Sequence, residues 1–356
     1  MIIAFWKCRR IIVLSLVNIM LWSNLSAQMN GTSSDNVGES LTQEANRIAS
    51  NFTTIYAETK CGLNYVHQEV ILNERRGGFN IAQSQPASIV IAGLPTTAVI
   101  ESAFLYYTIE GVDRNTQDYS FNITNPDGLI SNYTTNAIAF GPSACWGTTG
   151  SATYRNDVTS AISGDGTYSL LGLPTFIIPG DSPDTNGASL FIIYSDSAAN
   201  YSGTLIIEDG HEVSIVNSMN INCEISGFTV PNSITNSTGF LLLSDDQDFD
   251  PTIVTINGAT VPFTDNDALV MVEGPIGLVP SQIISAHEVN RIGEDCVSVA
   301  MTGVYFQDME FDCQSMATIP TTGQWGLIIL AILLLTVGVV RVRSSQINWV
   351  KSITSC

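Results

Sequence analysis

The chain has 356 residues, of which 33 are acidic and 13 are basic, and its formal net charge at pH 7 is −20. Six of the basic residues lie in the first ten or the last sixteen positions, whereas every acidic residue falls between residues 28 and 318. A segment this acidic repels phosphate backbones, which argues against nucleic acid as a partner and leaves solubility or divalent cations as reasons for the charge.

The first 27 residues have the layout of a secretory signal peptide. Lys7, Arg9 and Arg10 precede the apolar run Ile11–Trp22, and Ala27 offers a small residue for cleavage. We therefore predict a signal peptide over residues 1–27, with export machinery as a partner, and a retained N-terminal anchor as the alternative.

Residues 28–58 are polar and predict a loosely held lead-in with one short helix over Glu39–Ser50. The folded part is predicted to begin near Thr59. Runs of β-branched and aromatic residues bounded by Gly, Pro, Asn and Asp then recur, which is the pattern of strands and turns. The predicted strands are Leu63–Leu72, Ser88–Ala92, Ser102–Glu110, Tyr119–Thr124, Tyr168–Leu173, Ala188–Ser195, Thr204–Glu208, Ile225–Val230, Gly239–Leu243, Thr252–Ile256, Ala268–Val272, Gln282–His287 and Val297–Phe306.

Two further local predictions concern the middle of the chain. The segment Tyr154–Ile162 predicts a short helix ended by Gly164. The runs that begin at Ala188 and Thr204 are almost continuously apolar, so we expect two neighbouring antiparallel strands that are covered on both faces.

These elements predict an all-β fold. We expect an antiparallel β-sandwich of jelly-roll or immunoglobulin-like type over residues 59–318, as one large sandwich or as two closely joined ones split near residue 210. No internal repeat of fixed period is visible in the sequence.

Five cysteines fall in the exported part, where disulfides form readily. They are Cys61, Cys145, Cys223, Cys296 and Cys313. An odd number leaves one unpaired and the spacing does not determine the pairing. We favour Cys61 with Cys145, and Cys223 or Cys296 with Cys313. No zinc-binding spacing occurs among them.

Carboxylates are the only plentiful site chemistry. Two loops gather oxygen ligands of the kind that Ca²⁺ prefers, and their candidate ligands are Asp181, Asp184, Asp246 and Asp248. Solvated turns are the alternative interpretation. The histidines, His67, His211 and His287, lack a second histidine at the spacing of a zinc protease, and we interpret them as surface or core residues. No catalytic residues are predicted.

The C-terminal segment has the layout of a membrane anchor. Residues 319–340 carry no charge, Trp325 stands where an aromatic ring sits at the headgroup level, and Arg341 and Arg343 follow the apolar run. About 20 apolar residues span a bilayer as a helix, and flanking basic residues mark the cytoplasmic end. We predict a sorting motif and transmembrane helix over residues 319–343 and a cytoplasmic tail over 344–356.

The same residues resemble a known sorting tail, in which Ile-Pro-Thr-Leu and Trp-Gly precede a hydrophobic helix and a basic end. Here Ile319, Pro320, Thr321, Trp325 and Gly326 match, and Thr322 stands where the family has leucine. The chain thus resembles the IPTL-CTERM bacterial surface proteins. The resemblance implies recognition by an exosortase-type sorting peptidase.

The folded part also looks like an uncharacterised β-domain of bacterial and archaeal surface proteins, over about residues 60–310. The resemblance lies in the segments that begin at Ala103, Thr153, Gly166, Asn186 and Ile206. It implies location and fold, and brings no catalytic residues.

Together these features predict an exported protein, held by a C-terminal helix and then at the cell surface or released. The first hypothesis is a non-enzymatic role in adhesion, envelope structure or biofilm, with the cell envelope or an extracellular polysaccharide as partner. The second is a carbohydrate- or Ca²⁺-binding surface module. A secreted hydrolase ranks last.

Overall fold

The computed structural model describes residues 52–313, except for 77–78, 83, 113–117, 144–148, 176–182, 215–219, 227, 229, 231–232, 245–251, 263–268, 278–283, 292–296 and 311–312. The described residues belong to one compact unit, Ser50–Cys356. Their strands are β1 (Thr53–Cys61), β2 (Leu63–Ile71), β3 (Asn73–Arg76), β4 (Phe79–Ala82), β5 (Ala87–Ile91), β6 (Ala98–Glu110), β7 (Tyr119–Thr124), β8 (Ile130–Thr135), β9 (Ala137–Gly141), β10 (Ser151–Asp157), β11 (Gly166–Leu171), β12 (Asp184–Asp196), β13 (Ser202–Ser214), β14 (Ile221–Ser226), β15 (Ile234–Ser244), β16 (Thr252–Ile256), β17 (Ala259–Val261), β18 (Val270–Pro275), β19 (Ile284–Arg291) and β20 (Val297–Asp308). A 3₁₀ turn covers Thr159–Ala161.

The first half of the fold is a β-sandwich-like pair of antiparallel sheets. One sheet has the order β2-β12-β6-β10-β9 and the other has the order β5-β11-β7-β8. Strand β5 alternates buried and exposed residues, as expected where one face of a sheet packs on a core and the other meets solvent. Leu105, Tyr107, Phe121 and Tyr168 lie in the apolar core between the two sheets.

The second half repeats this arrangement with different residues. Its sheets have the orders β1-β13-β20-β15-β18 and β14-β19-β16-β17. Apart from β1, β9 and the separate hairpin β3-β4, each strand of one half has a counterpart in the other. The chain passes from the first half to the second between Asp196 and Ser202, so the predicted boundary near residue 210 falls inside β13.

The two five-stranded sheets pack against each other and join the halves. Phe191 and Ile193 of β12 share a fully buried cluster with Leu205 and Ile207 of β13. Burial of one such side chain contributes roughly 1.5–3 kcal/mol. The backbones approach closely here, because a Cβ atom on Gly203 would lie 1.9 Å from the carbonyl oxygen of Leu63.

Nearly all of the regular structure in the described residues is β and antiparallel, which confirms the predicted class. Each of the thirteen predicted strands overlaps an observed one. Strands β12 and β13 are covered on both faces, as predicted. They are not neighbours in a sheet, however, because β12 pairs with β2 and β6 while β13 pairs with β1 and β20.

The predicted helix over Tyr154–Ile162 is wrong. Its first residues belong to β10, which lies between β6 and β9, and only the 3₁₀ turn Thr159–Ala161 follows. Burial of Tyr154 in the first core outweighs a local preference for helix. The predicted lead-in also ends earlier than residue 58, because β1 begins at Thr53 and pairs with β13.

A disulfide joins Cys61 to Cys313, with 5.6 Å between their Cα atoms. Our preferred pairings for both cysteines are therefore wrong. The topology explains the observed pair, because Cys61 of β1 and Asp308 of β20 both face Ser202 of β13 from opposite sides. Cys223 is buried and has a free thiol. Cys145 and Cys296 lie outside the described residues.

The segments predicted to direct and anchor the chain, residues 1–27 and 319–356, lie outside the described residues, as does the predicted helix Glu39–Ser50. Within the described ranges, no helix has the length and apolar character needed to span a membrane.

Candidate functional site

Of the four predicted calcium ligands, one lies in the described part of the chain. Asp184 begins β12, is 1% exposed and accepts a hydrogen bond from the side chain of Asn73. Asp181, Asp246 and Asp248 lie outside the described residues. No group of three or more metal-ligating side chains occurs among the residues that are described.

A polar cleft lies where the two halves meet. It has a volume of about 340 Å³, at the small end of the range for ligand sites. Strand β2 forms one wall and the second half contributes β15, β18 and β20. The lining residues are Asn64, Tyr65, Val66, His67, Ala92, Asn236, Thr238, Glu273 and Tyr305.

The cleft is built around His67, which lies between two carboxylates. Its Nδ1 is 2.8 Å from Oε1 of Glu69, and its Nε2 is 3.3 Å from Oε1 of Glu273. The alternation of a strand places His67 and Glu69 on the same face of β2. Glu273 comes from β18 in the other half, so the cluster also ties the halves together.

The charge state of this cluster follows from its hydrogen bonds. Burial lowers the pKa of His67, but hydrogen bonds to Glu273 and Glu69 outweigh it and raise the pKa to about 10. Burial raises the pKa of Glu273, but the hydrogen bonds and charge of His67 and the hydroxyl of Tyr65 bring it below its ordinary value. At neutral pH the cluster therefore holds an imidazolium and an ionised Glu273.

Aromatic rings form the apolar part of the cleft. The ring of Tyr65 stacks on Phe191 with centroids 5.0 Å apart and meets Tyr305 edge to face at 5.3 Å. The hydroxyl of Tyr65 donates to Oε1 of Glu273 at 2.6 Å, and that of Tyr305 donates to the carbonyl of Leu63 at 3.0 Å. Both rings are thus fixed in orientation.

Three groups in the cleft are available to a ligand. Within the described residues, no hydrogen bond uses the amide of Asn236, the hydroxyl of Thr238 or Oε2 of Glu273. The side chain of Glu273 is 35% exposed. The cleft therefore offers an oriented carboxylate oxygen, an amide and a hydroxyl beside an aromatic ring.

A second polar group joins the halves, and its carboxylate is buried. Arg155 of β10 pairs with Asp209 of β13, and the hydroxyl of Tyr106 donates to the same carboxylate at 3.1 Å. Burial raises the pKa of Asp209, although Arg155 and Tyr106 act in the opposite direction. Asp209 is only 3% exposed, so we assign this group to the packing of the halves.

His211 and His287 are core residues, which confirms that part of the prediction. The ring of His211 lies between the hydroxyls of Ser151 at 2.6 Å and Thr153 at 2.8 Å. His287 has the same kind of partners, Ser285 at 2.9 Å and Thr302 at 2.8 Å. Burial lowers the pKa of His211 to about 3 and that of His287 to about 4.

Sequence reasoning missed the cleft. The His67-Gln-Glu69 triplet was the one local indication of it, since residues two apart on a strand share a face and a histidine and a carboxylate are thereby placed side by side. Glu273 lies more than 200 positions away on a strand of the other half, and no local pattern connects it to His67.

No protein-family model matches the sequence, and no curated protein matches it. Among solved structures, the chain is similar to the N-glycanase PNGase F, with 12% identity over 69% of this chain and 96% of that one and a TM-score of 0.21. A BuGH86 protein in complex with neoagarooctaose has 9% identity over 64% of this chain and 33% of that one, with a TM-score of 0.22. The major capsid protein P2 of bacteriophage PM2 has 11% identity over 70% and 99%, with a TM-score of 0.19. TM-scores this low establish neither a shared fold nor a shared activity.

Proposed function

We propose that the chain is an exported surface protein whose folded body binds a neutral saccharide in the cleft between its halves, without catalysis. Export is supported by the signal-like N-terminus, the sorting-like tail and the Cys61–Cys313 disulfide, since disulfides persist in oxidising compartments. The role is adhesion or attachment within the envelope or an extracellular polysaccharide.

The observation that carries the proposal is the chemistry of the cleft. A sugar presents hydroxyl groups around an apolar C–H face, and the cleft has the matching groups. Oε2 of Glu273, the amide of Asn236 and the hydroxyl of Thr238 suit the hydroxyls, and the ring of Tyr65 suits the apolar face. Hydrogen bonds to an ionised carboxylate are the strong ones.

Binding is favoured over turnover by the fixed charges. A general acid or base works best when its pKa lies near the operating pH. His67 is protonated at neutral pH and both ring nitrogens are already engaged, while Glu273 is held ionised. These groups orient a ligand and are poorly placed to exchange a proton with it.

We further infer that each half is a jelly roll. In the first half, eight strands form the orders β2-β12-β6-β10 and β5-β11-β7-β8. In the second half, eight strands form the matching orders β13-β20-β15-β18 and β14-β19-β16-β17. Lectins are one class that uses this architecture. The fold alone does not assign a function, so the cleft supports the proposal and the architecture only accommodates it.

Delivery by a sorting peptidase is the second part of the proposal. Cleavage within the tail would separate the folded body from the apolar run that ends at Val340. The intact mass of the protein released from cells tests this step: loss of the segment after the motif at Ile319 supports it, and a released chain that still ends at Cys356 contradicts it.

Glu273→Gln is expected to weaken binding of a neutral oligosaccharide at least tenfold, because it removes the charged acceptor at nearly constant shape. The measurement is calorimetry of the full chain in detergent against a panel of neutral oligosaccharides. Glu224→Gln makes the same change at an exposed position of β14, away from the cleft, and should leave affinity unchanged.

Asn236→Ala combined with Thr238→Val provides a second variant that does not touch the ion pairs, and it should also weaken binding. Equal affinity of Glu273→Gln and the wild type would contradict the proposal, as would a wild type that binds no member of the panel. New reducing ends in the incubated sugars would contradict the absence of catalysis.

A further inference from the structure

The outer face of the sheet β5-β11-β7-β8 carries no charge. Along each strand the buried residues alternate with outward ones, and every outward position is serine, threonine, asparagine, valine, leucine or isoleucine. We call this surface the uncharged face. It is unusual in a chain whose segment between residues 28 and 318 has 33 acidic and seven basic residues.

Polar side chains lie in rows across the uncharged face. Asn122 of β7 is directly opposite Asn132 of β8, and Ser120 is opposite Thr134 with their hydroxyls 2.9 Å apart. Thr167 of β11 is opposite Val90 of β5, which is 55% exposed. Neighbouring strands place the members of a row about 4.8 Å apart, so the face offers regularly spaced donors and acceptors between aliphatic groups.

The fold itself does not require the absence of charge. The second half has the same strand order, and the outer face of its sheet β14-β19-β16-β17 includes Glu224 on β14 and Glu288 on β19. Two halves with one topology therefore differ in the charge of equivalent surfaces. The absence of charge is therefore a property of the residues of the first half and not of the strand order.

The size and composition of the uncharged face disfavour a protein partner. Four strands about 4.8 Å apart, each of five or six residues, give a patch of roughly 350 Å². A stable protein interface buries about 800 Å² on each partner and relies on tryptophan, tyrosine and arginine. The outward positions of the four strands have none of these residues.

The uncharged face reaches the cleft at one edge. Strand β5 is the edge strand of its sheet, and Val90 on its outward side is two residues before Ala92, which lines the cleft. Two residues of extended chain span about 7 Å. A linear polymer with one segment in the cleft can therefore continue over β5 onto the face.

We propose that the uncharged face is a binding surface for a neutral polysaccharide, one segment of which occupies the cleft. The inference rests on the proposed function, because the cleft fixes the polymer and the face extends the contact. Rows of hydroxyl and amide groups match a polyhydroxylated chain without ionic groups, and the surrounding acidic surface excludes anionic polymers.

The test compares a short neutral oligosaccharide with a long polymer of the same sugar, using the full chain in detergent. Thr167→Lys combined with Asn132→Lys places charges on two exposed positions of the face. We expect the wild type to bind the polymer at least tenfold more tightly per chain than the oligosaccharide. The double variant should lose that gain and keep the affinity for the oligosaccharide.

The matched control is Ser226→Lys combined with Thr260→Lys, at exposed outward positions of the second half, and it should behave as the wild type. If the wild type binds polymer and oligosaccharide with equal affinity, the inference is overturned and the cleft proposal stands. The same holds if the double variant still binds the polymer more tightly than the oligosaccharide. A chain that binds neither sugar would overturn both. A dimer that the double variant dissociates would assign the face to a second copy instead.

Discussion

The free energy of unfolding of this protein will fall steeply between pH 7 and pH 4.5, and His211 and His287 will account for much of the loss. Both are fully buried and neutral, with folded pKa values of about 3 and about 4 against an ordinary value of 6.5. Below pH 6.5 the unfolded chain takes up protons that the folded chain refuses, so stability falls as the pH falls towards the folded values. Between pH 7 and pH 4.5 each histidine lowers the free energy of unfolding by about 2.5 kcal/mol.

The measurement is urea unfolding at pH 7 and pH 4.5 for the wild type, His211→Gln and His287→Gln. Each variant should lose less stability over this interval than the wild type, whatever its stability at pH 7. The pKa values of Glu208, Glu212 and Asp209 are raised by burial, and these groups act in the opposite direction in every variant. Equal losses in all three proteins would contradict the prediction.

His67 provides the control because its contribution to stability is lost at alkaline pH and not at acid pH. Its folded pKa is raised to about 10, so its contribution is complete below about pH 6.5 and is lost as the pH rises through the folded value. In His67→Gln the loss between pH 7 and pH 4.5 that comes from His211 and His287 should therefore remain. This variant should lose less between pH 7 and pH 10.

Reduction of the Cys61–Cys313 disulfide will destabilise the folded body by up to about 5 kcal/mol. The bond closes a loop across a sequence separation of 252, and in the chain-entropy model a loop of that length restricts the unfolded chain by about this amount. It also joins the edge strand β1 to the segment that follows β20, across β13. Without it we expect β1 to open first.

The comparison is unfolding by denaturant with and without reductant, for the wild type and for Cys61→Ser combined with Cys313→Ser. Reductant should lower the midpoint of the wild type and leave that of the double variant unchanged. Cys223→Ala, at the buried free thiol, should respond to reductant as the wild type does. A wild type that is indifferent to reductant would contradict the role assigned to the bond.

The positions of the strands could be predicted because each long strand has its own local signal. Tyr119–Thr124 and Thr252–Ile256 were predicted with the observed bounds, since turns with Gly, Asn and Asp flank apolar alternation. Strand β10 was missed because Tyr154 and Arg155 are held by contacts with other strands. The partners of β12 and β13 were also missed, since pairing depends on strands that are distant in sequence.

The repeated topology of the two halves cannot be read from the sequence because the counterpart strands differ in residues and most differ in length. The cleft depends on that topology, which brings Glu273 of β18 to His67 of β2. The disulfide could not be predicted for the same reason, because only the sheet order β1-β13-β20 shows that Cys61 and Cys313 are near each other.

The central claim is that a neutral saccharide binds in the cleft between the halves, and hydrogen–deuterium exchange of the full chain with a bound neutral oligosaccharide tests it most directly. Strands β2 and β18 are edge strands of their sheets, so their free backbone groups exchange measurably in the absence of ligand. We predict that saturation slows exchange in β2, β15 and β18 around Tyr65, Thr238 and Glu273. Protection that falls elsewhere, with these strands unchanged at saturation, would contradict the account.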